Sequence, residues 1–350
     1  MVGWEGRELV LENCDSLRRF RVVPALLELL SALADWTSVA DLTASGLVVS
    51  PGQLGDLVDR GLVEEDREGG AADGAARDWD PHELAVQRHS AVGGYDSARP
   101  GERQPPAAFK SRPSGPVTVL PRPRGLSRSL EDALTGRRSV RTYGEQPLPL
   151  GALSSVLHHS ARISKVSRRG SLGEIAFRPF ASGGARSELE VYVVANDVEG
   201  LEVGAHYYDA RAHELVGLPA GDVGRRRLNE HVHAATGHTI NRDPPAVLVI
   251  TAVFQRVMWK YRGIALGLIY KDVGCLFQTL YLTASAAGLA PCAVGGGAES
   301  QNAHWLGLDP LVESQVGCFL IGPPRLDPRR PVGLLRHAEL PDRDAEHHQA

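Results

Sequence analysis

The chain has 350 residues, 43% of them hydrophobic and 23% charged, with a net charge of −4. These are the values of a soluble globular protein long enough for two domains and a sizeable core. The small negative charge excludes bulk attraction to nucleic acid or anionic lipid, and no run approaches the roughly 20 apolar residues that a membrane span needs.

The first residues carry no basic region leading into an apolar run, so no secretory signal is expected. Cys14, Cys275, Cys292 and Cys318 stand far apart without a CxxC pair, which fits a reducing, cytoplasmic setting without structural zinc. The basic residues are 34 arginines against four lysines, Lys110, Lys165, Lys260 and Lys271, so a single lysine carries more information than a single arginine.

Residues 1–70 read as a small winged-helix-like domain. Val23, Leu26, Leu27, Leu30 and Leu33 recur at helical spacing, Ser38–Leu42 and Leu54–Val58 suggest two more short helices, and Leu62–Glu65 reads as the first strand of a hairpin. With 6 basic and 13 acidic side chains this segment repels phosphate, so a peptide- or partner-docking role is expected rather than DNA binding. Residues 71–125 lose periodicity, with seven prolines between Pro100 and Pro123, and read as a Pro/Gly/Arg-rich linker or an arm wrapped on the next domain.

Residues 126–340 alternate helices and strands and form an α+β domain; residues 341–350 read as a disordered tail. Helices are expected over 129–134 and over 150–163, the latter with Leu153, Val156, Leu157 and Ala161 inward. Strands are expected over 189–194, in a hairpin-like pair at 205–208 and 213–218, and over 246–251, 292–295 and 318–322. A long core helix spans 266–287, with Leu266, Ile269, Val273, Leu276, Phe277, Leu280 and Ala284 spaced by three or four.

Three segments have the residue types for chemistry. Arg137, Arg138, Ser139 and Arg141 place three guanidinium groups and a hydroxyl within five positions, a donor set suited to phosphate. Pro179, Ser182, Gly183 and Gly184 precede a strand, and their small size lets a flat ligand approach the backbone. The long helix runs out into Ala293, Val294, Gly295 and Gly296, which is not a dinucleotide-binding fingerprint. No GxSxG, HExxH or Walker loop is present. His158–His159 and His231/His233 lack nearby carboxylate or cysteine partners in sequence and read as surface histidines.

Taken in order, RRSVRTY, RPFASGGARSELEVYVV and WKYRGIALGLIYKDVGCLFQTLYLTASAAGLAPCAVGGG resemble the nitroreductase-like flavoproteins over about residues 126–335. More narrowly they resemble the SagB-type peptide dehydrogenases, which are azoline oxidases. The resemblance implies an FMN domain in a homodimer, with Arg137, Arg138, Ser139 and Arg141 on the ribityl chain and phosphate. It puts Pro179, Ser182, Gly183 and Gly184 on one side of the flavin ring and Ala293, Val294, Gly295 and Gly296 on the other. A basic residue after the last strand completes the phosphate site, with Arg325, Arg329 and Arg330 as candidates.

The implied reaction oxidises peptide thiazoline or oxazoline rings to thiazole or oxazole in ribosomal or nonribosomal peptide biosynthesis. The substrate is a modified precursor peptide and the partner a cyclodehydratase. Such oxidation needs a base near the ring and FMN as electron acceptor. The group's catalytic lysine–tyrosine pair falls here on Lys271 and Asp272, with Tyr270 on the other side: the lysine is kept and the tyrosine is not. Two other readings remain. One is an NAD(P)H-dependent flavin reductase of dehydroamino acids or small electrophiles; the other is a flavin-free scaffold of a cyclodehydratase complex.

Overall fold

A computed structural model describes residues 2–13, 18–33, 37–63, 65, 80–92, 94–95, 104–296 and 299–325. Arg329, Arg330, the tail at 341–350 and Glu64 of the strand expected at 62–65 lie outside the described residues. The chain divides into two compact units, Met1–Asp96 with Tyr261–Gly267, and Ser97–Lys260 with Leu268–Ala350.

The first unit opens with a three-stranded antiparallel sheet, β1 (Val2–Glu5), β2 (Glu8–Glu12) and β3 (Arg19–Arg21), in that order. Helices α1 (Pro24–Ala32), α2 (Val39–Ala44) and α3 (Pro51–Asp59) follow. Ser38 caps α2, and Ser50 with Gln53 forms a reciprocal capping box on α3, whose first residue is Pro51. Leu62 and Val63 form a bend and not the expected strand. The Gly61 N–H donates to Val58 O and the Leu62 N–H to Leu57 O, so the α3 terminus uses the donor that a ladder would need. Helix α4 (Pro81–Val92) and the short pair β4 (Gly94–Tyr95) with β12 (Tyr261–Arg262) complete this unit. A helix at 81–92 departs from the expected linker.

The second unit is built on a seven-stranded sheet, antiparallel throughout, in the order β13-β14-β11-β8-β9-β10-β5. Its strands are β5 (Val117–Val119), β8 (Leu189–Ala195), β9 (Gly204–Asp209), β10 (Glu214–Gly217), β11 (Ala246–Val253), β13 (Ala290–Val294) and β14 (Glu313–Gly322). β8 and β14 are buried at every residue, as strands covered on both faces must be. A separate hairpin joins β6 (Lys165–Arg168) to β7 (Glu174–Phe177).

The helices are α5 (Leu130–Gly136), α6 (Leu150–Ala161), α7 (Asp222–Ala235), α8 (Phe254–Met258), α9 (Ala265–Ala286) and α10 (Glu299–Trp305). Leu153, Val156, Leu157 and Ala161 are fully buried, as their spacing predicts. Among the described residues no helix is long and apolar enough to cross a membrane.

The second half of the expected linker belongs to this unit as an arm, because β5 forms the sheet edge and Lys110 reaches inward. Lys110 Nζ donates to Glu313 Oε2 and to the Tyr192 hydroxyl, both at 2.7 Å. Glu313 also accepts from Thr251 at 2.7 Å and Tyr192 at 2.9 Å. Beside it, the buried Glu190 carboxylate accepts from Arg256 Nη1 at 2.7 Å and lies 3.6 Å from the buried Arg178. Removing one member of such a network leaves buried charge uncompensated. Glu190→Ala strands two guanidinium groups, and urea unfolding of this variant is expected to show a loss of about 3–5 kcal/mol.

Candidate functional site

Two clusters of predicted site residues form against α9. The first gathers at Tyr281. The Tyr281 hydroxyl lies 2.7 Å from Ser139 Oγ and accepts the Ala293 N–H at 2.8 Å, and the Arg137 guanidinium sits 5.2 Å over its ring. The Val140 N–H donates to Pro291 O at 2.8 Å, so the arginine segment is tied to β13 by backbone as well as by side chain. Arg141 hydrogen-bonds Cys292, whose thiol burial pushes up and Arg141 partly pulls back. The Arg325 N–H donates to Thr142 O at 3.1 Å, and Tyr143 bridges Pro324, which brings Arg325 to the same end of the sheet.

Arg138, Ser139, Arg141 and Arg325 are exposed and Arg137 half-buried. Among the described residues none of these four arginines forms an ion pair with a carboxylate. Four uncompensated guanidinium groups with a serine hydroxyl and an exposed Gly295–Gly296 backbone are the donor set that the phosphate and ribityl chain of FMN would take.

The second cluster is the turn before β8. The Gly183 N–H donates to Asp272 Oδ2 at 2.6 Å, Ser182 Oγ donates to Glu188 Oε2 at 2.9 Å, and the Ser187 N–H donates back to Ser182 Oγ at 2.9 Å. Pro179 and Gly184 are exposed, which leaves one side of this turn open. Burial, and then the Asp272 carboxylate hydrogen-bonded to it, push the Glu188 carboxyl up to about 8.

Of the predicted catalytic residues, Asp272 is buried, whereas Lys271 is exposed and Tyr270 is 55% exposed in the single chain. Within one chain Lys271 is therefore not enclosed. A helix turns about 100° per residue, and here it points Asp272 inward and Lys271 out. His233 does have a carboxylate partner, since its Nε2 lies 2.9 Å from Asp243 Oδ1, and His231 Nε2 lies 2.9 Å from Gly296 O. The partners lie 10 and 65 residues further along the chain. Sequence reasoning also passed over Tyr281 and Glu188. Tyr281 lies on the long helix and Glu188 just before β8, and neither has a local signal that separates it from its neighbours.

The family described as the nitroreductase family matches residues 134–322. A Methanocaldococcus jannaschii protein named as a nitroreductase is 34% identical over 166 residues, 47% of this chain and 78% of that one. The trifolitoxin-processing protein TfxB of Rhizobium leguminosarum bv. trifolii is 28% identical over 187 residues, 51% of this chain. The chain spans about half of TfxB's length, 49%. The crystal structure of a Ralstonia eutropha protein described as a nitroreductase matches with 24% identity and a TM-score of 0.49, covering 67% of this chain and 100% of its own. The α+β domain that carries both clusters is thus matched over more than half of the chain, and the protein belongs to the nitroreductase family.

Proposed function

We propose that the protein is an FMN-dependent dehydrogenase that oxidises thiazoline or oxazoline rings of a modified precursor peptide, acting as a homodimer beside a cyclodehydratase. The observation that carries the cofactor is the arginine segment, without carboxylate partners among the described residues, held by Tyr281 against the end of β13 and Gly295–Gly296, inside a nitroreductase-family domain. The peptide substrate is supported by the three motifs in their order and by the likeness to a trifolitoxin-processing protein.

In this reading Arg137, Arg138, Ser139 and Arg141 bind the phosphate and ribityl chain, with Arg325 closing the same end; Arg329 and Arg330 are further candidates for that role. Pro179, Ser182, Gly183 and Gly184 face one side of the ring, and the backbone of Ala293, Val294, Gly295 and Gly296 faces the other. When bound, FMN supplies the two-electron acceptor that the oxidation needs. Lys271 takes the proton from the azoline ring carbon as general base, and a second copy of the chain covers its exposed surface of α9. Asp272 holds the glycine turn through the Gly183 N–H, and Tyr270 flanks the substrate. The first unit, acidic overall, docks the leader peptide or a partner protein.

The purified protein is expected to be yellow and to bind FMN non-covalently. Arg137→Ala and Arg141→Ala are each expected to weaken FMN by about one to two decades, since a charge-assisted hydrogen bond contributes roughly 1.5–3 kcal/mol. A protein that takes up no FMN on titration contradicts the reading. Lys271→Met keeps the length of the stem and removes the amine. It is expected to retain FMN and to slow azoline oxidation by about 10²–10⁴-fold, measured by product formation under saturating peptide. An unchanged rate assigns the proton to another group.

A further inference from the structure

The turn that leads into β8 and is held by Asp272 of α9 is strained. Gly184, Ala185 and Ser187 all have positive φ, at 62°, 54° and 51°. The left-handed region is open to glycine but unfavourable for alanine and serine, and it persists where surrounding contacts over-determine it. Those contacts are few and specific. The Ser187 hydroxyl donates to Ala176 O at 2.7 Å and the Ala185 N–H to Ser182 O at 3.0 Å. Others run through Glu188 by way of Ser182, through Asp272 by way of the Gly183 N–H, and through Arg256, whose Nη1 donates to Ser187 O at 2.8 Å.

Glu188 has no exposed surface and Asp272 is 6% exposed, so both carboxyls lie out of water, and they grip adjacent residues of one turn, Glu188 at Ser182 and Asp272 at Gly183. Two ionised carboxylates held on adjacent residues in such a place repel. Glu188 Oε1 has no hydrogen-bond partner while both groups are charged, and a single proton on Glu188 turns the repulsion into a bond to Asp272. The groups acting on the Glu188 carboxyl are Asp272 from α9, Ser182 from the turn and its own backbone N–H. The basic side chains nearby are engaged elsewhere. Arg186 donates to Leu172 O, Pro106 O and Arg256 O, and Arg256 donates to Glu190 and Ser187 O. Lys271, next to Asp272 in sequence, is exposed.

We propose that Glu188 is a positioning residue: it shares one proton with Asp272, and this carboxyl–carboxylate pair holds the strained Ser182–Ser187 turn on α9 in the form that receives the flavin. The last clause rests on the FMN reading above; the shared proton and its grip on the turn do not. The consequence is an alkaline limit. When the proton leaves, the two charges push apart, Asp272 loses its hold on the Gly183 N–H, and the turn is free to relax.

The sign for stability follows from the same pair. The Glu188 carboxyl binds its proton more tightly when folded, up to about 8 against an ordinary value of 4.5. The folded chain therefore holds more protons in that window. The stabilisation is fully present below the ordinary value and is lost as pH rises through the folded one, by up to about tenfold in the unfolding constant per pH unit.

The test uses the full chain and Glu188→Gln, whose amide donates to Asp272 without titrating. Urea unfolding of the FMN-free proteins between about pH 5 and pH 9 is expected to show wild-type stability falling across this range, with a clearly flatter profile in the variant. The carboxyl carbon of Glu188, followed by 13C NMR in the wild type, is expected to titrate well above the ordinary carboxylate range, and it decides the matter if Glu188→Gln does not fold. FMN affinity is expected to fall on the alkaline side in the wild type and to stay level in the variant. Equal pH slopes in the two proteins, or a Glu188 carbon that titrates as an ordinary carboxyl, overturn the shared proton. A wild-type FMN affinity that is flat with pH overturns the positioning role. If FMN binds at no pH while the stability slopes differ, the flavin reading fails and the proton pair stands.

Discussion

At Gly317, in the middle of β14, the Phe277 ring of α9 fills the space where any side chain would begin: a β-carbon there would lie 2.6 Å from Phe277 Cζ. Helix and strand approach as closely as glycine alone permits. Phe319, two residues on, packs against both Phe277 and Tyr281, at 6.1 and 5.0 Å between ring centroids. These contacts set the rotation and height of α9 over the sheet. Everything proposed for the site hangs on that placement. Asp272 meets the Gly183 N–H at one level, and Tyr281 meets Ser139 and Ala293 nine residues later, roughly 14 Å along the axis.

Charge is divided between the two clusters in a way that suits a ligand with an anionic end and a flat end. The arginines of the first cluster are exposed or half-buried and lack carboxylate partners among the described residues, so no acidic side chain competes there with an incoming anion. The acids of the second cluster are buried and linked into the fold, and they present backbone and small side chains outward. Glu190, one turn of the pleat beyond Glu188, shows the opposite solution to the same burial. It is neutralised by Arg256 and Arg178, whereas Glu188 has a second acid as its neighbour.

Much of this was legible in the sequence, and the failures have a common cause. The apolar run Ala246–Thr251, the inward set Leu153, Val156, Leu157 and Ala161, and the long stripe of α9 are local patterns. They appear as strand, helix and helix within a residue or two of expectation. The segments 137–141 and 293–296 were singled out in the sequence too, and they meet through Tyr281. What escaped depends on partners far along the chain: Tyr281 with Ser139, Glu188 with Asp272, and Arg325 with Thr142. The amino-terminal hairpin was passed over, and the strand expected after Gly61 gave way to a helix terminus that consumed its first donor. Lys271 and Asp272 are adjacent letters, and only the helix phase fixed by Phe277 separates the inward acid from the outward base.

An oxidation of this kind leaves a mass signature that no binding experiment can imitate. A precursor peptide already carrying azoline rings, incubated with the FMN-loaded protein in air and followed by mass spectrometry, is the most direct examination of the proposed activity. The account predicts a loss of about 2 Da for each ring converted, the mass of the two hydrogens removed. Peptide recovered at unchanged mass, from protein shown to hold FMN, would contradict it.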